Sequence, residues 1–113
     1  MADDDYCYLT TTGRRTGTPH EIDIWYVQVS DTLLYLLSGG GDASDWVRNL
    51  RAEPAVTVRV NGAVRPGRAR VVEPETDEDA RARTLLFEKY QPRYEGDLQE
   101  WRDRARPVAI ELS

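Results

Sequence analysis

Two short segments of the chain offer the kind of donors that an anionic ligand needs. In Gly13-Arg14-Arg15-Thr16-Gly17, two glycines four positions apart bracket a pair of arginines and a threonine. Backbone N–H groups in a glycine-bounded turn can form an anion-binding concavity, and guanidinium groups grip phosphate or carboxylate in bidentate fashion. An Arg-Arg pair is also what the plain solvation of a surface turn produces, so this segment alone does not define a site. Ser38-Gly39-Gly40-Gly41 comes just before a helical pattern. The start of a helix presents unpaired N–H groups and a partial positive charge. Asp42 and Asp45 oppose an anion there, and a mobile connector is the alternative reading. The glycine spacing matches neither the phosphate-binding P-loop nor the dinucleotide GxGxxG pattern.

Aromatic residues form the other candidate group. Tyr90, Tyr94 and Trp101 sit around the last helical segments, broken by Pro92 and Gly96, and could cover a planar cofactor or substrate. A satellite core beneath the helices would use the same residues, and Trp46 carries the same ambiguity. Metal chemistry finds no support, because His20 is the only histidine and Cys7 the only cysteine. Nor does a Ser-His-acid constellation stand out. Glu21 and Asp23, two apart on a strand, read as partners for nearby arginines, and Cys7 as a small buried hydrophobe.

The elements that must hold these residues follow from residue type and periodicity. Tyr6–Thr12 is aromatic and β-branched and reads as a strand, and His20–Val29 as a second. In the second, Ile22, Ile24 and Tyr26 share one face, with Trp25, Val27 and Val29 on the other. Leu33–Leu37 is a nearly continuous apolar strand. Ser44 or Asp45 caps a helix over Trp46–Ala52, limited by Pro54. Val56, Val58 and Val60 alternate inward, and Asn61-Gly62 predicts a type I′ turn into a strand over Ala63–Glu73. Thr76 and three following acids open the longest helix, with Ala82, Leu86 and Tyr90 on one face. A short helix over Asp97–Arg104 and a strand over Pro107–Leu112 complete the pattern. The expected architecture is mainly β (β+α): about six mostly antiparallel strands in a small, partly open barrel, with two or three helices outside it.

Composition bounds the function classes. One domain is expected for 113 residues, with the acidic residues 1–5 expected to be disordered. A net charge of −5 argues against nucleic acid as a partner. Fourteen of the fifteen basic residues are arginine, a bias that genomic base composition alone can produce. No stretch approaches the roughly 20 apolar residues that cross a bilayer, and no signal-peptide pattern is present. The expected location is cytoplasmic, with peripheral membrane association left open.

Taken together, the segments resemble the deazaflavin-dependent nitroreductase family, within the split-barrel flavin/deazaflavin oxidoreductase superfamily. The resemblance runs through Leu9-Thr10-Thr11-Thr12-Gly13-Arg14-Arg15-Thr16-Gly17-Thr18-Pro19 and through Ser38 with its glycines. It continues in Trp46-Val47-Arg48-Asn49-Leu50-Arg51-Ala52-Glu53-Pro54-Ala55-Val56-Thr57-Val58 and, further on, in Tyr90, Tyr94, Trp101 and Arg106-Pro107-Val108. It implies a split β-barrel that binds the 5-deazaflavin coenzyme F-420 and passes a hydride to an electron-poor small molecule: a quinone, nitro compound or enone. FMN in the same fold is the alternative cofactor, and a non-enzymatic flavin-binding protein the alternative function. The residues carried over to cofactor binding are Gly13, Arg14, Arg15, Thr16, Ser38, Gly39, Gly40, Gly41, Trp46 and Asn49. Tyr90 and Tyr94, with Trp25, would border the substrate pocket. The chain departs from the family at Gly39, where a lysine is common, and at Leu98, which replaces a third pocket tyrosine. Both monomers and homodimers fit the resemblance.

Overall fold

The computed structural model describes residues 5–113. Seven strands form one curled sheet: β1 (Cys7–Thr12), β2 (Pro19–Ile24), β3 (Tyr26–Ser30), β4 (Leu33–Ser38), β5 (Ala55–Val60), β6 (Ala63–Val71) and β7 (Arg106–Leu112). Three α-helices accompany them: α1 (Asp45–Ala52), α2 (Asp77–Tyr90) and α3 (Gln99–Arg104). The strand order is β2-β1-β5-β6-β7-β4-β3, and every neighbouring pair is antiparallel. The expected disorder of residues 1–5 lies, for residues 1–4, outside the described residues. Asp5 is described, and its backbone carbonyl accepts a hydrogen bond from the Tyr90 hydroxyl at 2.7 Å.

The seventh strand is the main departure from the sequence reading. The single strand expected over His20–Val29 is interrupted at Trp25. Its first half pairs with β1 and its second with β4, so two consecutive strands occupy opposite edges of the sheet. Residue parity survives the break. Ile22, Ile24 and Tyr26 still join the inner core, while Trp25, Val27 and Val29 pack on the outer one.

The sheet buries apolar residues on both faces where β3, β4 and β7 lie under the helices. Its concave side buries Leu9, Tyr26, Leu34, Leu36, Val58, Val108 and Ile110 together with Val47 and Leu50 of α1. Its other side packs Tyr35, Leu37 and Ala109 against Ala82, Leu86 and Tyr90 of α2. Because β4 is covered on both faces, its sequence is a continuous apolar run rather than an alternation. Local signals are met where they were strong. Asn61 and Gly62 have φ of 49° and 80°, as a type I′ turn requires, and Thr76 caps α2 by accepting from the Asp79 amide at 3.1 Å. Gly67 allows β6 to pass close to β7, since a Cβ there would lie 3.0 Å from Ile110 Cγ2.

Candidate functional site

The Gly-Arg-Arg turn is the loop of the β1–β2 hairpin. The Gly13 amide donates to the Thr18 carbonyl at 2.7 Å and the Gly17 amide to the Gly13 carbonyl at 2.8 Å. Gly17 has φ of 73°, which favours glycine at that corner. The turn is fastened to α1 by Asn49, which is 5% exposed. Its Oδ1 accepts from the Arg14 guanidinium at 2.8 Å and from the Arg14 amide at 3.3 Å, while its Nδ2 donates to Thr11 Oγ1 at 3.3 Å. Arg14 also reaches Asp45 at 3.4 Å. One buried amide side chain therefore holds β1, the turn and the helix in fixed relation.

Between the turn and the helix lies a cavity of about 690 Å³. Gly13, Arg14, Arg15, Thr16, Trp46 and Asn49 all line it, so six of the ten residues carried over to cofactor binding meet in one place. His20, Glu21, Ile22, Asp45 and Arg48 complete most of the wall. Three guanidinium groups face two carboxylates there, a local positive excess in a chain of net charge −5. Arg14 is engaged with Asn49 and Asp45. Arg15 and Arg48 have no side-chain hydrogen-bond or ion-pair partner among the described residues, which leaves both forks available to a ligand. Arg48 went unnoticed in the sequence because an arginine on a short helix usually reads as a solvated side chain. The signal that could have found it is its position beside Asn49, between the buried Val47 and Leu50.

Ser38, Gly39, Gly40 and Gly41 border neither this cavity nor the second one described below. The segment folds onto itself instead. Ser38 is buried, and its hydroxyl donates to the Gly41 carbonyl at 2.9 Å and shares a 2.8 Å hydrogen bond with Ser44. Asp42 is clasped by Arg51 at 3.1 Å and by Arg106 at 3.3 Å, and these guanidinium groups hold its carboxyl below the usual carboxylate range. What shares the groove with the Gly-Arg-Arg turn is the helix that follows the glycines. His20 sits beside the turn, 3.4 Å from Thr18 Oγ1, and Glu21 pairs with Arg59 at 4.0 Å.

The second cavity, about 280 Å³, is lined by Asp5, Tyr6, Trp25, Tyr90, Arg93 and Tyr94. It gathers all three expected substrate-pocket residues. Trp25 stacks on Tyr90 with ring centroids 4.3 Å apart and planes 2° from parallel, and Tyr94 meets Trp25 edge-on at 5.8 Å. Trp101 supports the pair from the side, 5.4 Å from Trp25. The Tyr90 hydroxyl is turned away to the backbone at the strand break. It accepts from the Tyr26 amide at 2.9 Å and lies within donating distance of the Tyr26 and Asp5 carbonyls. Burial raises its pKa above the ordinary phenol value. Tyr94, by contrast, is 49% exposed. The two cavities flank opposite ends of β1, a strand of six residues and thus about 20 Å at roughly 3.3 Å per residue.

Comparison with known proteins identifies the family. The sequence model of the F420H(2)-dependent quinone reductases matches residues 1–113. An F420H(2)-dependent quinone reductase of Mycobacterium tuberculosis is 33% identical over 105 residues, covering 90% of this chain and 69% of that protein. The chain belongs to the F420H(2)-dependent quinone reductase family. A solved F420-H2 dependent reductase, FDR-A, superposes with a TM-score of 0.74 at 26% identity, covering 100% of this chain and 97% of that one. Another neighbour, 28% identical with a TM-score of 0.74, is described as a domain-swapped dimer and covers 99% of this chain and 82% of its own. As a member of the quinone reductase family the chain is an oxidoreductase with F-420 as cofactor, built on the split-barrel fold. The donor set of the larger cavity suits that coenzyme, whose anionic part calls for unpaired arginines and a hydroxyl such as Thr16. Among the described residues no helix is long and apolar enough to cross a membrane.

Proposed function

We propose that this chain reduces a quinone, or a comparable electron-poor nitro compound or enone, with the coenzyme's anionic tail in the arginine-lined cavity and the acceptor in the aromatic one. The observation that carries this reading is the pair of guanidinium groups without partners among the described residues, Arg15 on the hairpin turn and Arg48 on α1, both lining one cavity in an otherwise acidic chain. An elongated ligand with a charged tail and a flat head matches two cavities set about 20 Å apart along one strand. Bound F-420 supplies the hydride.

The protein's own contribution is position and electrostatics. Arg15, Arg48 and Thr16 bind the tail, and Arg48 supplies on the helix a cation that the glycine loop lacks at Gly39. Asn49 and Arg14 hold the turn at a fixed distance from α1, so the donors need little rearrangement when the ligand arrives. The stacked Trp25–Tyr90 pair forms a rigid apolar floor that excludes water, and the exposed Tyr94 edge borders the acceptor. A cytoplasmic setting belongs to this reading, given one unpaired, buried cysteine.

The test is separate fluorescence titration of purified protein with F-420 and with FMN, followed by menadione reduction with reduced F-420. Binding of F-420 that is weakened at least tenfold by Arg15→Ala is expected. Tight FMN binding without F-420 binding would overturn the cofactor placement.

A further inference from the structure

Among the described residues the aromatic cavity has one cation on its wall, Arg93. Arg93 follows Pro92 in the short turn after α2, and its guanidinium is ion-paired with the carboxylate of Asp5. Among the described residues Asp5 is the only acid lining the cavity, and the remaining walls are Tyr6, Trp25, Tyr90 and Tyr94. Both members of the pair are substantially exposed, at 46% and 61%. An exposed ion pair of this kind contributes little to folding, so a competing anion displaces Asp5 at little cost. Tyr6 and Tyr94 are themselves 45% and 49% exposed and leave apolar ring surface beside the guanidinium. A planar fork of donors next to uncovered aromatic surface recognises a specific shape, a flat ring that carries an acidic group.

We propose that the acceptor of this enzyme is an aromatic or quinonoid molecule bearing a carboxylate or other acidic substituent, with Arg93 as the specificity-determining residue. This rests on the reading that the acceptor occupies the aromatic cavity. In it Asp5 occupies, within the chain, the place that the ligand's acidic group takes. Arg93 touches no part of the arginine-lined cavity, so its contribution is separable from binding of the coenzyme tail.

The experiment compares a matched pair of non-reducible probes, 2-naphthoate and its neutral amide, by calorimetric titration of the protein without cofactor. The expected result is at least a tenfold preference for the carboxylate at low ionic strength. Arg93→Gln should reduce the preference to within twofold, and Asp5→Asn should tighten naphthoate binding at least threefold. The preference should survive Arg15→Ala and Arg48→Ala. Equal binding of the two probes, or a preference that persists in Arg93→Gln, overturns the proposal. A preference abolished by Arg15→Ala or Arg48→Ala would place the anion in the larger cavity and overturns it equally. None of these outcomes depends on F-420, so failure of the coenzyme titration and failure of this inference are read independently. In turnover, an acidic naphthoquinone should exceed menadione in kcat/KM, mainly through KM, and lose that advantage in Arg93→Gln.

Discussion

Arg15 and Arg48 differ from most of the chain's arginines in having nothing to hold. Removing either costs the fold no side-chain hydrogen bond or ion pair among the described residues, so Arg15→Ala and Arg48→Ala should melt close to the temperature of the parent protein. Each should nonetheless weaken F-420 binding by at least tenfold, because a charge-assisted contact is worth about 1.5–3 kcal/mol. Fluorescence titration beside a thermal melt separates the two effects, and an unchanged affinity would remove that arginine from the site. Cys7 tests the core at the same scale. Burial pushes its thiol from 9.0 up to about 12. The unfolded chain therefore releases this proton at lower pH than the folded one, and its stabilising contribution is complete below pH 9.0 and lost as pH rises toward about 12. Tyr90, also raised by burial, adds to the same alkaline loss. Urea unfolding from pH 8 to 11 should show stability falling across this window, with a shallower fall in Cys7→Ala. The Gly-Arg-Arg turn was legible in the sequence because glycine and arginine declare local geometry and charge by type. Arg48 was not, since whether a helical arginine faces solvent or a cavity depends on what another segment places opposite it.

At the level of elements, Asn49 is the joint between β1, the hairpin turn and α1. Asn49→Ala leaves the buried Thr11 hydroxyl without this partner and the Arg14 fork with Asp45 alone. Such losses cost about 1–3 kcal/mol, so this variant should lower both the melting temperature and the F-420 affinity, unlike Arg48→Ala. A variant that bound normally after melting earlier would show that the turn holds its shape without the helix. The β5–β6 turn offers a calibration, because Gly62 at φ of 80° should lose about 1 kcal/mol on substitution by alanine with no effect on binding. That turn could be read directly from Asn61-Gly62. The break at Trp25 could not, for two reasons. No glycine or proline interrupts His20–Val29, and the in–out alternation continues across it, so period-2 patterning is blind to the change of partner. Strand pairing is decided by residues far away in sequence, and here it sends the two halves to opposite edges.

For the molecule as a whole, the contrast between a net charge of −5 and an arginine-rich cavity makes the proposed coenzyme capture electrostatic. Screening shortens the reach of those charges to about 10 Å at 0.1 M salt and about 3 Å at 1 M. Affinity for F-420 should therefore fall steadily between 0.05 and 0.5 M salt, whereas menadione, being neutral, should bind almost independently of it. A salt-independent F-420 affinity would point to a grip made of neutral contacts instead. The family resemblance and the barrel could be read from the sequence at this scale, because several motifs recur in one order. The separation of the two cavities could not, since it depends on the curl of the sheet and on which end of β1 each loop reaches.

One consequence follows from where β7 lies. It is hydrogen-bonded between β6 and β4, near the middle of the sheet, although every strand that it joins precedes it in sequence. Until Arg106–Leu112 leaves the ribosome, the growing chain carries one ribbon ending at β6 and another ending at β4, each with an open, adhesive border. The nascent protein can lock only when this wedge arrives, so translation products stalled before it should be unusually prone to association and heavily dependent on chaperones.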